Sequence, residues 1–519
     1  MSAIAALGRL RAAATGVAQP AATVRHRHLS AGPLVLVPYV LAGEAFAPLA
    51  VLVGTDRDRP HLLAVPQPRD RDRRFAHAAE LGRLLLPYLG AFAAETETIE
   101  RRSEDPYERS LDAPQVLVPT AGGVEYLRLL GRSTRFRRTD GEFAVAEEVP
   151  LLGRWSTWLA DRAGVPGSSV LLAMTDLLTQ AWVTGQSALE DGDLAALLAW
   201  IDPPAGQRGD RAARAVEGGP TAGPATDPAF DERLVPLIAA FDDAVAADRG
   251  EAAERDEADA AGGARTDLGP RGRDAEQAIR DALAAELLPT WDRVWRGVEL
   301  LRALPSGASV AGRWEADRAS YSFFAAALAD PESRPQPRVP GAISAAAQLA
   351  GRERAQARLD AEQVRDDPLL MAAVRLAGEA FRGELGAVDA ERMVAEPGKK
   401  TARPRPMLTF ATDDEPLFGP GTDLACVERP DAKARVLATE PGRVVLELRG
   451  GMGGGKTPKP GSVPEVGEVL CWTSLIAEFR RGPDWPDVED TPWTHGGPPP
   501  VPEPEAAPEA DDDALEDWS

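Results

Sequence analysis

The chain has 519 residues, of which 44% are hydrophobic, and its 81 acidic and 58 basic residues give a formal net charge of −23. This length exceeds the roughly 250–300 residues at which a single core stops growing, so several folded units are expected. The acidic balance excludes a generally basic nucleic-acid-binding surface but not a local one. Two cysteines alone exclude a disulfide framework and a cysteine-rich zinc site, and they favour the cytoplasm. No apolar run approaches the ~18 residues of a membrane span.

The N-terminal part of the chain predicts a mixed α/β domain. Residues 1–29 are interpreted as a short helix with a polar lead-in, and residues 30–202 as the domain itself. Short β-prone runs between turn residues predict its strands, and apolar residues at helical spacing predict its helices. The strands are expected at 33–40, 46–53, 61–65 and 115–118, and the helices at 75–89, 124–130, 155–163, 168–184 and 189–201.

The middle of the chain predicts a linker followed by helices. Residues 203–272 contain few large apolar residues, so we interpret them as a flexible linker with one short helix at 230–245. Residues 273–395 are interpreted as a helical hairpin or small bundle, because apolar residues recur at i, i+3, i+4 and i+7 around Trp291. Pro289 is expected to kink or break this helix. Further helices are expected at 310–329, at 342–364 and from Pro368 to about Phe381.

From Pro404 onward the pattern is typical of short strands. Five such strands separated by Gly and Pro predict a small β-barrel at 400–480. Residues 481–519 form an acidic tail that we expect to be disordered. The fold class predicted is therefore α+β multidomain. The barrel strands are expected at 407–410, 424–427, 434–437, 443–448 and 468–472.

One string, Gly450 to Thr457, matches the pattern of a phosphate-binding loop. In such a loop, backbone N–H groups surround the phosphates, and the loop opens directly into a helix. Here Thr457 is followed by Pro-Lys-Pro-Gly, which cannot start that helix. We therefore interpret the string as a glycine-rich hairpin, from which Lys456 and Lys459 could contact a nucleic-acid backbone.

Other candidate sites are weighed against simpler explanations. His26 and His28 have no nearby carboxylate or cysteine motif to complete a metal site, so surface exposure is expected and no metal or cofactor is predicted. Glu44 and Asp56 could act as the carboxylates of a metal-dependent nuclease on a β-hairpin. The lysine that many such sites carry is missing, and acids beside turns are common.

Two runs of arginine and a stripe of tryptophan are the remaining candidate binding sites. Arg69 to Arg74 and Arg128 to Arg138 lie near aromatic residues, and arginine beside aromatics can hold phosphates and stack on bases. Solvated or ion-paired arginine is the simpler interpretation. Trp291, Trp295 and Trp314 are interpreted as core residues or as a groove for a partner helix. The nucleic-acid-binding candidates are Arg135, Arg137, Arg138, Lys456 and Lys459.

The run from Trp291 to Leu304, within long helices that precede a barrel, resembles high-GC actinobacterial proteins encoded with, or fused to, helicase-like ATPases. A helical stalk carrying a barrel is similar to the accessory insertions of UPF1-like superfamily-1 helicases. The resemblance covers about residues 273–480, and the motor motifs are absent from this chain. It therefore implies an accessory polypeptide that acts with a separate motor.

Three functional hypotheses follow. The first is a non-catalytic accessory or scaffold protein that binds a helicase-like ATPase and nucleic acid. The second is a metal-dependent nuclease that uses Glu44 and Asp56. The third is a structural or regulatory protein unrelated to nucleic acid, for which salt-sensitive DNA binding should be absent.

Overall fold

The computed structural model confirms the α+β class, with twelve helices and a closed barrel among the residues it describes. The predicted acidic tail at 481–519 lies outside the described residues, apart from 484–487. The described residues are 3–44, 47–101, 105–217, 219–220, 223–256, 268–333, 336–337, 340–395, 402–453, 455, 457–476 and 484–487.

The helices and strands alternate in the N-terminal half, and strands dominate the C-terminal part. The helices are α1 Ala3–Thr15, α2 Arg71–Ala91, α3 Ala121–Thr134, α4 Glu148–Ala163, α5 Met174–Ala181, α6 Leu194–Ile201, α7 Gly209–Val216, α8 Pro228–Asp256, α9 Pro270–Arg302, α10 Val310–Ala329, α11 Ala342–Asp366 and α12 Pro368–Leu376. The strands are β1 Gln19–Pro20, β2 Leu34–Val40, β3 Pro48–Gly54, β4 His61–Ala64, β5 Thr96–Ile99, β6 Tyr107–Ser110, β7 Val116–Val118, β8 Leu171–Ala173, β9 Trp182–Val183, β10 Ala380–Asp389, β11 Met393–Ala395, β12 Ala402–Pro404, β13 Met407–Ala411, β14 Asp423–Cys426, β15 Lys433–Glu440, β16 Arg443–Leu448 and β17 Val469–Thr473.

A five-stranded mixed sheet, in the order β4-β3-β2-β7-β8, organises the N-terminal half. Successive residues of a strand point to opposite faces, so Val35 and Val37 of β2 lie in one hydrophobic core and Leu34 and Leu36 lie in another. The first, the front core, is completed by α5, α6, α8 and α9. The second, the back core, is completed by α2, α3, α4 and α10. Because both faces are covered, the central strands are continuous apolar runs.

Helix α8 is longer than the short helix predicted at 230–245. Phe230, Leu234, Ile238 and Phe241 recur at helical spacing and are buried in the front core. Asp227 begins the helix by accepting a hydrogen bond from the backbone N–H of Phe230 at 2.8 Å. This part of the predicted linker is therefore an ordered layer of the fold. The low apolar content of the surrounding sequence had favoured a flexible linker instead.

Two further helix predictions are wrong in their extent. Residues 168–184, predicted as one helix, contain strand β8 before α5, because Leu171 to Ala173 pair with β7. Of the two outcomes predicted at Pro289, a kink or a break, the break does not occur, since α9 continues through it from Pro270 to Arg302. Strand pairing across the sheet overrides local helical spacing in the first case.

Residues 23–30, here called the strap, cross from α1 to the sheet and contact the later helices on the way. The backbone N–H and the hydroxyl of Thr23 both donate to the buried carboxylate of Asp367, at 2.8 and 2.9 Å. Further along the strap, the backbone N–H of Ser30 donates to the side-chain oxygen of Gln115 at 2.9 Å. The strap therefore joins the start of α12 to the sheet.

Both histidines of the strap are more enclosed than predicted. His26 is buried, and its carbonyl accepts a hydrogen bond from the guanidinium of Arg313 at 2.9 Å. The ring of His28 stacks on Trp314 with their centroids 4.0 Å apart. Burial lowers the pKa of both histidines. They are structural parts of the strap.

The barrel is closed by six strands in the order β10-β13-β16-β15-β14-β17, one more than predicted. The extra strand, β10, begins at Ala380, although the helix from Pro368 was predicted to continue to about Phe381. Helix α12 instead ends at Leu376, because Gly378 adopts a φ of 76° and its N–H bonds back to the carbonyl of Arg375 at 3.0 Å. A glycine in the left-handed region is a common helix stop.

The glycine-rich string is a crossover and not a hairpin. Strand β16 lies between β13 and β15, whereas β17 lies between β14 and β10, so the chain between them crosses one end of the barrel. Gly451 has a φ of 82°, and a Cβ atom there would lie 2.9 Å from the carbonyl oxygen of Asp431. The next residue, Met452, is buried in the barrel core. The described residues between 449 and 468 contain no helix, so they lack the helix N-terminus that a phosphate loop requires.

Candidate nucleic-acid interface

The two arginine runs predicted from the sequence meet at one end of the back core. The first run starts α2, where the carboxylate of Asp70 accepts a hydrogen bond from the backbone N–H of Arg73 at 3.0 Å. The second run spans the end of α3 and enters the loop at 135–147 that leads to α4. This loop lies across the first turns of α2, because the Arg137 guanidinium is 5.0 Å from the ring centre of Phe75.

Four arginine–ring contacts define this surface. The guanidinium of Arg71 lies 5.2 Å from the ring centre of Phe75 and 5.3 Å from that of Phe143. The guanidinium of Arg135 lies 4.8 Å from the ring centre of Phe136. These distances are within the roughly 6 Å range of cation–π attraction. We call this set the arginine–aromatic cluster; it comprises Arg71, Phe75, Arg135, Phe136, Arg137 and Phe143.

Two rings of the cluster remain accessible. Phe136 and Phe143 are 42% and 38% exposed, respectively, although both belong to the loop that covers α2. An accessible aromatic face beside a guanidinium is the arrangement on which a base can stack. The cluster therefore offers both a positive charge for a phosphate and a ring for a base.

The cluster is also locally basic in an acidic chain. The two runs, 69–74 and 128–138, contain nine arginines and two aspartates. Arg138, one of the predicted binding residues, is held by Asp140 at 3.0 Å and lowers the pKa of that carboxyl group. The charge of Arg138 is therefore compensated within the chain.

A small, mainly apolar pocket of about 30 Å³ lies beside the cluster. At its buried side lies His77, which is 4% exposed. Neither ring nitrogen of His77 has a hydrogen-bond partner in the described part of the chain. Burial lowers its pKa to about 4, so the imidazole is neutral near pH 7. The pocket is lined by Pro48, Arg74, Phe75, His77, Ala78, Tyr126, Leu130, Ser133, Thr134 and Arg137.

The predicted lysines belong to the barrel and not to this surface. Lys456 lies outside the described residues. The side chain of Lys459 lies against Gly453 in the crossover, and its backbone N–H donates to the carbonyl of Met452 at 3.0 Å. The crossover covers the barrel core, whereas the arginines surround the back core. The arginines and lysines predicted to bind nucleic acid together therefore lie beside separate cores.

The two carboxylates of the hypothetical nuclease site lie far apart in the structure. Glu44 follows β2 at one end of β3, and Asp56 follows β3 at its other end. The seven residues of β3 span roughly 20 Å, which is far beyond the reach of one metal ion. Glu44 instead pairs with Arg69 at 3.0 Å, and Asp56 pairs with Arg59 at 2.7 Å. The described residues contain no cluster of three or more potential metal ligands.

The tryptophans proposed for partner binding lie in the chain's own cores. Trp291 is 1% exposed, and its indole N–H donates to the carbonyl of Arg57 at 2.8 Å. Trp295 is buried in the same front core, and Trp314 is buried in the back core. Their stripe on α9 and α10 faces the sheet, so they do not form an exposed groove.

Sequence reasoning missed the residues that complete the site. Phe75 was assigned to the buried face of a helix, and Phe143 was not noticed because it lies in an irregular loop. His77 had no motif around it. One signal was available: Phe75 and His77 lie near the start of a helix and directly follow residues 69–74, which contain four arginines.

Comparison with known proteins finds no matching family model, no matching curated protein and no matching solved structure. Among the described residues, no helix combines the length and the apolar character needed to cross a membrane.

Proposed function

We propose that this chain is a non-catalytic, cytoplasmic accessory protein that binds single-stranded nucleic acid and acts with a separate helicase-like ATPase. The observation that carries the proposal is the arginine–aromatic cluster. It joins two sequence-distant arginine runs to two accessible phenylalanine rings.

The chemistry of the cluster favours a single strand over a duplex. Unpaired bases expose faces that can stack on an aromatic ring, and stacking contributes roughly 1–3 kcal/mol per base. Phe136 and Phe143 lie on a loop that projects no helix or paired strands toward a groove, and a helix or β-ribbon is what usually enters the major groove. Arg135 and Arg137 would hold the phosphates beside the stacked bases.

The choice of partner rests on the resemblance of the long helices and barrel to accessory regions of superfamily-1 helicases. The chain carries a closed barrel joined to α12 by a short turn at Gly378. Such an appended module is suited to contact another protein while the arginine–aromatic cluster holds the strand. Affinity capture of the tagged chain from its native cells, followed by mass spectrometry, tests this part; recovery of no ATPase would count against it.

The nucleic-acid part is tested by the salt dependence of binding. Fluorescence anisotropy with a labelled single strand of about 15 nucleotides should give an affinity that falls as salt rises. About three phosphate contacts predict a slope near −2 in a plot of log K against log salt concentration. The double variant Arg135→Gln/Arg137→Gln should bind tenfold or more weakly, with a slope smaller by about 1.4.

A matched control separates the site from net charge. Arg59→Gln/Arg443→Gln removes the same charge from exposed arginines that pair with Asp56 and Glu440, outside the cluster. It should bind like the wild type. If both double variants bind alike, or if the wild type shows no salt-sensitive binding, the chain belongs to the structural or regulatory class instead.

A further inference from the structure

We propose that Arg352 of α11 is a phosphate contact of the same single-strand site, so that the strand leaves the arginine–aromatic cluster and follows the seam between α3 and α4 as far as α11. This inference rests on the proposed function and deepens it, because it assigns the path of the strand and brings α11 into the interface. Arg352 lies outside both arginine runs of the sequence.

Helix α4 and its C-cap form the floor of this path. Thr157, Asp161 and Gly164 recur at i, i+4 and i+7, so they lie along one face of the helix. Arg135, a member of the cluster, donates from its guanidinium to the Thr157 hydroxyl at 3.3 Å. The Arg352 guanidinium lies over Gly164, where a Cβ atom would be 3.5 Å from its Cζ atom. The two arginines therefore contact the same face of α4, about 10 Å apart along its axis at roughly 1.5 Å per residue.

The charges along the seam favour an anion. Arg128 and Arg135 are seven residues apart on α3 and its C-cap, so they share a face of that helix. Burial raises the pKa of the Asp161 carboxyl group, and the guanidinium groups of Arg352, Arg135 and Arg128 oppose that rise, so all three lie near this carboxylate. Asp161 offsets one of these charges, and Glu125, which accepts a hydrogen bond from Arg128, offsets another. The seam therefore keeps a positive charge in an acidic chain.

Arg352 is accessible and retains its hydrogen-bond donors. The residue is exposed, and in the described part of the chain its guanidinium donates no hydrogen bond and forms no ion pair. An arginine has five N–H donors in a planar fork that matches a phosphate group. A positive charge at the C-terminal end of α4 is stabilising by itself, but that role uses the charge of Arg352 and leaves its donors available.

The test compares strands of two lengths in the full chain by fluorescence anisotropy. With a single strand of about 15 nucleotides, Arg352→Gln should bind roughly three- to tenfold more weakly than the wild type, and the slope of log K against log salt concentration should become smaller by about 0.7. A strand of about four nucleotides can occupy the cluster alone. The wild type and Arg352→Gln should therefore bind this shorter strand alike.

Arg354→Gln is the matched control for charge. Arg354 is exposed on the same helix, and positions i and i+2 of a helix do not face the same side. This variant removes the same charge from α11 and should bind the longer strand like the wild type. Arg352→Lys keeps the charge but not the fork, so it should retain most of the salt slope.

The outcomes separate this inference from the proposed function. Equal binding of the longer strand by Arg352→Gln and Arg354→Gln would overturn the contact at Arg352 and leave the cluster intact. An equal loss on both strand lengths in Arg352→Gln would overturn it as well, because the effect would not depend on a strand that reaches α11. Absence of salt-sensitive binding by the wild type would overturn the proposed function itself.

Discussion

At the scale of one residue, the burial of His77 beside the candidate site should make the stability of the protein depend on pH. Its pKa of about 4 in the folded chain lies below the ordinary value of ~6.5 expected after unfolding. As the pH falls below 6.5, the unfolded chain therefore takes up a proton that the folded chain does not. The contribution of His77 to the free energy of unfolding is complete above pH 6.5 and decreases between pH 6.5 and pH 4. Below pH 4 it has fallen by roughly 3 kcal/mol.

His77→Phe should remove this pH dependence. Because neither imidazole nitrogen has a partner in the described chain, the variant should be about as stable as the wild type near pH 7. At pH 4.5 it should be more stable by roughly 2 kcal/mol. Urea unfolding of both proteins at the two pH values measures this difference. A constant difference at both values would show that the imidazole titrates normally in the folded chain.

Trp291 allows a residue-scale test of whether its side chain stabilises the core or binds a partner. Trp291→Ala should lower the free energy of unfolding by roughly 3–5 kcal/mol, because it opens a cavity in the front core. Trp485→Ala, at a residue that is 40% exposed, should change it by less than about 0.5 kcal/mol. Thermal or urea unfolding gives both values. An unchanged stability in Trp291→Ala together with loss of a bound partner would restore the partner-binding interpretation.

At the scale of elements, the strap depends on one buried carboxylate. Asp367 accepts both hydrogen bonds from Thr23 and also caps α12 by accepting the backbone N–H of Leu369 at 2.9 Å. Removal of that carboxylate leaves three donors without a partner. Thr23 is exposed, so water can replace part of these bonds, but the strap loses its attachment to α12 and should open at this end before the cores unfold.

Asp367→Ala should therefore expose the strap to protease. Trypsin cleaves after Arg25 and Arg27 only when this backbone opens, so limited digestion should cut there at least tenfold faster in the variant. Asp360→Ala is the control, because that exposed carboxylate accepts from Gln356 one turn away on α11 and lies outside the strap. Equal cleavage rates in the two variants would show that the strap is held by its other contacts.

At the scale of the whole molecule, the barrel should fold as a unit only if it includes β10. That strand pairs with β13 on one side and β17 on the other, so it closes the ring. A fragment from residue 368 to residue 487 contains all six strands and α12, and it should melt cooperatively. A fragment starting at residue 400 leaves two unpaired edges and should be unfolded or aggregate. Circular dichroism melts of the two fragments decide this, and cooperative melting of the shorter one would contradict the closed arrangement.

Local sequence patterns predicted most of the helices and strands. The strands at 34–40 and 443–448 were predicted because their apolar runs are long and bounded by turn residues. Helix α12 was predicted to begin at Pro368 because Asp367 precedes a proline at the first helical position, and Asp367 is its N-cap in the structure. The failures, β8 and β10, lie in stretches whose apolar residues fit a helix equally well, and only pairing with β7 or β13 makes them strands.

The sequence by itself determined the class of the fold, the acidic balance, the two arginine runs and the failure of the phosphate-loop string, because each depends on composition or on neighbouring residues. Only the tertiary structure decided which of these residues meet. It placed Phe75, Phe143 and Arg137 together, held Glu44 and Asp56 at opposite ends of β3, and buried Trp291 and His77. Contacts between residues far apart in the chain depend on how helices pack on the sheet, and local spacing shows which helix face is buried but not which residues it meets.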